Sequence, residues 1–191
     1  KEKLIYAYFR YNIHMLSDKD LFQLHKQMRI KTPLMCLYKD HLVKEVHTLD
    51  TAYIINLADE KDDNFGTHYT LLYSKRNKHK NDALEHIYFD SYGFSCPNEV
   101  LKFIKQPKIP YCDKNIQGKF QNSCGFMCLA YLYYITTFES RIGDLYLDTE
   151  MFLDLFDDTN EKIDTLHNEM MLKEFFKQIP RDINEKYINH I

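Results

Sequence analysis

Tryptophan is absent from the 191 residues, and glycine and proline are scarce at five each. With no Pro/Gly-rich linker, internal repeat or low-complexity tract, nothing divides the chain, and residues 1–191 read as a single domain. No apolar run approaches the roughly 20 residues of a membrane span, and no signal-peptide pattern opens the sequence, so no membrane partner is expected. A basic excess is missing as well. Twenty-five Lys and Arg stand against 28 Asp and Glu, a net charge of −3, which excludes a general pull on nucleic acid. Cysteines number five, an odd count whose spacings suggest neither a disulfide framework nor a zinc site. The pair Cys124 and Cys128, C-x3-C on a helix, suits zinc poorly. Free thiols in a reducing compartment are the expectation, with no metal.

What is present is a large apolar and aromatic stock: 45% hydrophobic residues, including 15 Tyr and 13 Phe. That is enough for a genuine core at this length. Charge is unevenly spread. Asp144 to Asp164 holds eight acidic residues against the single Lys162, and Lys75 to Lys80 is a short basic run followed by Lys102, Lys105, Lys108, Lys114 and Lys119. These read as solvated loops and helix faces, with a local anion-binding patch (a weak nucleic-acid contact) as the alternative.

The residue pattern sets out the elements. Residues 4–13 are aromatic and β-prone, a strand or packed extension. Ser17 to Asp20 caps a polar helix running to about Arg29. Buried strands are expected at Ala52–Leu57, His68–Ser74 and Glu85–Asp90, with Lys75–Asp82 as the hairpin loop between the last two. Pro97–Lys105 has a helical pattern with proline at its start, 124–138 is a helix apolar nearly all round, and Glu161–Gln178 is amphipathic. Strands clustered in the middle with helices at both ends predict an α+β fold. Four of the five glycines, against roughly 13 at average usage, flank polar residues: Gly66, Gly93, Gly118 and Gly125. That clustering suggests close backbone approach around one site.

Cys124 carries the main functional signal. A polar loop runs into Asn122-Ser123, both good N-cap residues, and an apolar helix begins at the cysteine. A thiol at a helix N-terminus meets unsatisfied N–H groups and the positive end of the helix dipole, which favour the nucleophilic thiolate. On position alone, Cys124 reads equally as a small buried residue starting a core helix. Nucleophilic catalysis also needs a base, a group orienting that base and an oxyanion hole. His68 at a strand start is a fixed platform for an imidazole, or one of nine histidines in an ordinary place. Asp90 at the end of the neighbouring strand could face it; by itself it reads as a turn residue in Asp-Ser-Tyr-Gly. Gln117, seven residues before Cys124, could aim its amide at the thiol or be a solvated loop residue.

Together, in order and spacing, these residues resemble the adenovirus-type (adenain-like) endopeptidases, in the clan of the proteases for SUMO and other ubiquitin-like proteins. Gly-Thr-His68-Tyr is similar to that family's G-x-H-W element, with Tyr for Trp. Asp90-Ser-Tyr-Gly-Phe-Ser95 resembles its strand-end acid followed by P-F-G-F-S, with Asp for the adenoviral Glu. Ile116-Gln117-Gly and Cys124-Gly-Phe-Met-Cys128 resemble V-Q-G and C-G-L-F-C at the same spacing. The resemblance is strongest over residues 50–136 and extends faintly to a segment beginning at Asn168. Similar proteases occur in virophages and Maverick-type transposons.

The resemblance implies a papain-like fold in permuted order: a central mixed sheet packed by helices, with a buried helix starting at the nucleophile. It implies a catalytic set of His68, Asp90, Gln117 and Cys124 in a cysteine endopeptidase that cleaves after a small residue such as glycine. The implied substrates are viral capsid or core precursor polypeptides, processed during virion maturation in the virion and host cell interior. A monomer needing neither DNA nor a disulfide-linked peptide cofactor is expected, since the nearest cysteine upstream of Gln117, Cys112, is only five residues away. The alternatives are a deconjugating protease for ubiquitin-like modifiers and, in the same clan, an acyltransferase.

Overall fold

The computed structural model describes residues 16–62, 68–118, 121–138, 141–159, 165–179, 183, 185–188 and 191. The chain is α+β, built on one four-stranded mixed sheet. Strands β1 (Leu34–Tyr38), β2 (Ala52–Asn56), β3 (Tyr69–Asn77) and β4 (Ala83–Phe89) lie in sequence order. The first pair is parallel and the next two are antiparallel. Helix α1 (Asp18–Gln27) precedes the sheet, and α2 (Asn98–Phe103), α3 (Cys124–Thr136), α4 (Leu145–Leu153), α5 (Thr165–Gln178) and α6 (Glu185–Ile188) follow it. Among the described residues, no helix is long and apolar enough to cross a membrane.

Alternation along the strands sends apolar side chains to both faces, so the sheet is buried on two sides. Ala52, Ile54, Leu71, Ile87 and Phe89 face the core around α3, whereas Tyr53, Ile55, Leu72 and Tyr88 face a thinner layer with Leu42, Val100 and Phe103. Helix α3 is the hub. Every residue from Cys124 to Ile135 is buried, against the sheet on one side and helices on the others. Its Tyr131 stacks on Phe89 of β4 with ring centroids 4.3 Å apart and meets Phe152 of α4 edge-on at 5.3 Å. The capping box expected at Ser17 is present: Ser17 Oγ accepts the Asp20 N–H while Asp20 Oδ2 accepts the Ser17 N–H.

Several expectations change. The strand or extension expected within residues 4–13 lies outside the described residues, as do Gly66 and the first residues of the helix expected from Glu161. The hairpin loop is shorter than Lys75–Asp82, because β3 continues to Asn77 and β4 starts at Ala83. Beyond Tyr73, the last β3 residue paired with β2, the two strands form a ribbon of their own that accommodates Lys75 and Arg76. The helix after Pro97 ends at Phe103, not Lys105, which adopts a left-handed conformation with φ 55°. Neither β1 nor α4 was anticipated.

Candidate active site

The sheet delivers two of the expected site residues side by side. His68 directly precedes β3 and Asp90 directly follows β4, the strands being antiparallel neighbours with Leu71 opposite Phe89. The imidazole Nε2 of His68 meets Asp90 Oδ1 at 2.8 Å. Asp90 is fully buried, and its second oxygen, Oδ2, has no hydrogen-bond partner among the described residues. A buried carboxylate with one open oxygen depends on the imidazolium for its compensation.

Asp90 forms the turn expected of Asp-Ser-Tyr-Gly and faces His68 from it. Asp90 Oδ1 also accepts the Tyr92 N–H at 2.8 Å, and the Gly93 N–H closes the turn onto the Asp90 carbonyl at 2.9 Å. This Asx-type turn locks the carboxylate that faces His68. Glycine is required at its end. Gly93 has φ +74°, and a Cβ there would sit 2.7 Å from the Asp113 carbonyl oxygen.

That close approach reflects a segment running beside β4. The Tyr88 N–H donates to Pro110 O and the Cys112 N–H to Tyr88 O. Further on, the N–H groups of Ile116 and Gln117 both donate to the Ser91 carbonyl, at 2.9 and 3.1 Å. Gln117 is thus carried alongside the Asp90 turn. Its amide is buried: Nε2 donates to the Gln121 carbonyl at 2.5 Å and makes a 3.5 Å contact with Tyr92 Oη, while Oε1 accepts from Ser91 Oγ at 2.6 Å. Asn168 on α5 braces the same loop from behind, donating to the carbonyls of Ile116 and Asp157 and accepting the Asp157 N–H.

Cys124 opens α3 and is the second partner of the imidazole. Burial depresses the protonated form of His68, but hydrogen bonds to the Asp90 carboxylate and the Cys124 sulfur, with their charges, outweigh it and lift the pKa to about 9. The other four cysteines are held as thiols by burial, Cys36, Cys96 and Cys112 at about 12 and the fully buried Cys128 well above its usual value. All five are free. Of the five, Cys124 is the one whose hydrogen bond contributes to lifting an imidazole's pKa. Helix placement differs from expectation in one respect. Ser123 is the N-cap by position, yet with ψ near 0° its side chain makes no cap hydrogen bond, and its buried Oγ has no partner among the described residues. No side chain of Ser123 therefore competes for the N–H groups at the start of α3.

His68, Asp90 and Cys124 are brought together directly, and Gln117 joins them through the Ser91–Tyr92 turn. Two residues escaped the sequence reading. Tyr92 lies over His68, ring centroids 4.6 Å apart, and burial with the neighbouring Cys124 and Asp90 charges raises its phenol pKa. Ser91 is the other. Both stand in the quoted Asp90-Ser-Tyr-Gly element, so the signal was their position beside the acid. Of the basic residues expected as an anion patch, the run from Lys75 to Lys80 is remote from this site. Lys75, Arg76 and Lys78 line a surface recess with Arg141 and Gly143, toward the far end of β3 from His68, and Lys80 there is paired with Glu85 and Asp144.

No protein-family model matches the chain, and no curated protein matches it.

Proposed function

We propose that this chain is a cysteine endopeptidase. The observation that carries the reading is the His68 imidazole, held at 2.8 Å by the buried Asp90, with a hydrogen bond to the Cys124 sulfur helping to raise its pKa. Along the chain the order is His68, Asp90, Gln117, Cys124, a papain-like arrangement in permuted order, as the resemblance to adenain-like proteases implies. In this mechanism the Cys124 thiolate attacks the scissile carbonyl carbon, and the carbonyl π electrons move onto oxygen. The Gln117 amide and the Cys124 backbone N–H stabilise that oxyanion. When the tetrahedral intermediate collapses, the C–N bond breaks, the amine leaves with the proton of His68, and a thioester remains. His68 then takes a proton from water, whose hydroxide displaces the thiolate and releases the acid.

Cleavage after a small residue such as glycine, and capsid or core precursors as substrates within the virion and host cell, belong to this proposal through the same resemblance. The test is hydrolysis of a fluorogenic peptide amide ending in glycine, with Cys124→Ala as control. Hydrolysis by the wild type alone supports the reading, and equal rates for both proteins refute it. Reaction with a ubiquitin-like probe but with no peptide would move the assignment to a deconjugating protease. Acyl transfer to an added amine without hydrolysis would move it to an acyltransferase.

A further inference from the structure

Resting on the catalytic reading above, we propose that Ser91 is the positioning residue that aims the Gln117 amide at the oxyanion. The two ends of this amide are distinguishable from their surroundings. The Gln121 carbonyl can only accept, so the nitrogen of Gln117 must face it, at 2.5 Å. The other end, Oε1, can only accept, and the Ser91 hydroxyl donates to it at 2.6 Å. Ser91 is fully buried and Gln117 is 1% exposed, so water has little access to replace that donor. With both ends held, one N–H of Gln117 is committed to Gln121. Among the described residues, the second has only the 3.5 Å contact with Tyr92 Oη, and that N–H is the one able to turn onto an oxyanion.

Removing the Ser91 hydroxyl leaves the buried Oε1 without its donor and the amide held at its nitrogen end alone. The amide can then swing about that one tie, and its second N–H is no longer held toward a developing negative charge. Ser91 also immediately follows Asp90, so one turn carries both the carboxylate that orients the base and the hydroxyl that orients the oxyanion donor. The main-chain links are independent of the side chain. Ser91 O still accepts from Ile116 and Gln117 after substitution by alanine, which leaves the loop tethered.

The experiment measures kcat and KM on a fluorogenic glycine-terminated peptide amide for the wild type, Ser91→Ala, Gln117→Ala and the double variant. Alkylation of Cys124 by iodoacetamide is followed in parallel, because that reaction needs the thiolate but forms no oxyanion. Ser91→Ala is expected to lower kcat by about tenfold with little change in KM, as for loss of one well-aligned hydrogen bond. Alkylation should continue at the wild-type rate, and in the Gln117→Ala background the serine change should cost nothing more. Full kcat for Ser91→Ala beside an impaired Gln117→Ala overturns this inference alone. So does a serine effect that adds in full to the glutamine effect, or an equal loss of alkylation. A Gln117→Ala enzyme at the wild-type rate overturns the oxyanion assignment itself. Thermal melts accompany each variant; if Ser91→Ala fails to fold, Ser91→Cys, a weaker donor at the same place, goes through the same cycle with the same outcomes.

Discussion

Replacing Asp90 by asparagine keeps the shape of the site and removes its negative charge, so it measures what that charge does to His68. Raising the imidazole from 6.5 to about 9 favours the imidazolium by roughly 3 kcal/mol at about 1.36 kcal/mol per pH unit. Burial works against this value, so the hydrogen bonds and charges of Asp90 and Cys124 together supply more than the net amount. An asparagine can still place an oxygen at 2.8 Å from Nε2 and accept the Tyr92 N–H, but it brings no charge. Its NH₂ group would then occupy the buried position of Oδ2, which makes no hydrogen bond among the described residues. The expected result is an alkaline limb of kcat/KM that moves down from near pH 9, and a loss of about ten- to a hundredfold at neutral pH. His68→Ala, which removes the proton donor itself, should lose more.

The same shift has a stability counterpart. A group whose pKa is raised on folding stabilises the fold fully below its unfolded value of 6.5, and that contribution disappears as pH rises through about 9. Wild type should therefore lose stability between pH 6.5 and 9.5 relative to Asp90→Asn in urea titrations. Two results would refute the argument. One is an alkaline limb that stays near pH 9 in Asp90→Asn. The other is inactivation equal to that of His68→Ala with the fold intact, which would mean that Asp90 does more than orient and charge the imidazole.

Cys124→Ala or Ser should abolish peptide cleavage while leaving the circular dichroism spectrum unchanged, whereas Cys128→Ser, one turn deeper, should keep most activity. Gln117→Ala should lower kcat by about 10²-fold with a modest change in KM; steady-state kinetics showing the large effect at Gln121→Ala instead would identify the other glutamine as the donor. Gly93→Ala should lower the thermal midpoint, because a Cβ at φ +74° would meet the Asp113 carbonyl at 2.7 Å. Activity should not depend on added DNA or on a disulfide-linked peptide, given the net charge of −3 and a Cys112 thiol that is buried at 1% exposure and pushed up to about 12. Assays with and without reductant and DNA check this, and a DNA stimulation that vanishes at high salt would reverse it.

The parts of the fold legible in the sequence are those where one physical rule dominates. Ser17 and Asp20 announce a capping box, and Ala52 to Asn56 is a run buried on both faces that reads as a strand without ambiguity. The unbroken apolar stretch from Cys124 likewise had to be an interior helix. Where two rules compete, the reading fails. Leu34–Tyr38 is an edge strand of partly exposed residues, stabilised by its parallel pairing with β2, and a five-residue run carries no signal of that partner. Helix α4 was hidden by its acidic residues. Asp144 is its N-cap, accepting the N–H groups of Tyr146 and Leu147, and the buried Asp148 takes the N–H groups of Ile142 and Gly143. Those carboxylates are hydrogen-bond acceptors for the backbone, not a solvated charge run.

The site divides along the same line. His68, Asp90, Gln117 and Cys124 were named because their residue types bear on proton transfer, nucleophilic attack and oxyanion binding. Ser91 and Tyr92 were not, since a serine and a tyrosine in a turn carry no chemistry until the segment from Pro110 to Gln117 is laid beside them. That placement depends on pairings between residues far apart in sequence: Tyr88 with Pro110 and Cys112, and Ser91 with Ile116 and Gln117. Asn168 adds a tie from still farther along the chain. The residues that perform the proposed chemistry are legible from residue type, order and spacing taken together, but those that aim them are defined by contact. A buried hydroxyl 2.6 Å from a buried amide oxygen, with a carboxylate on the preceding residue holding an imidazole, is a relation between two loops. For that reason the turn after β4, more than any single residue in it, is the feature on which the geometry of the whole site depends.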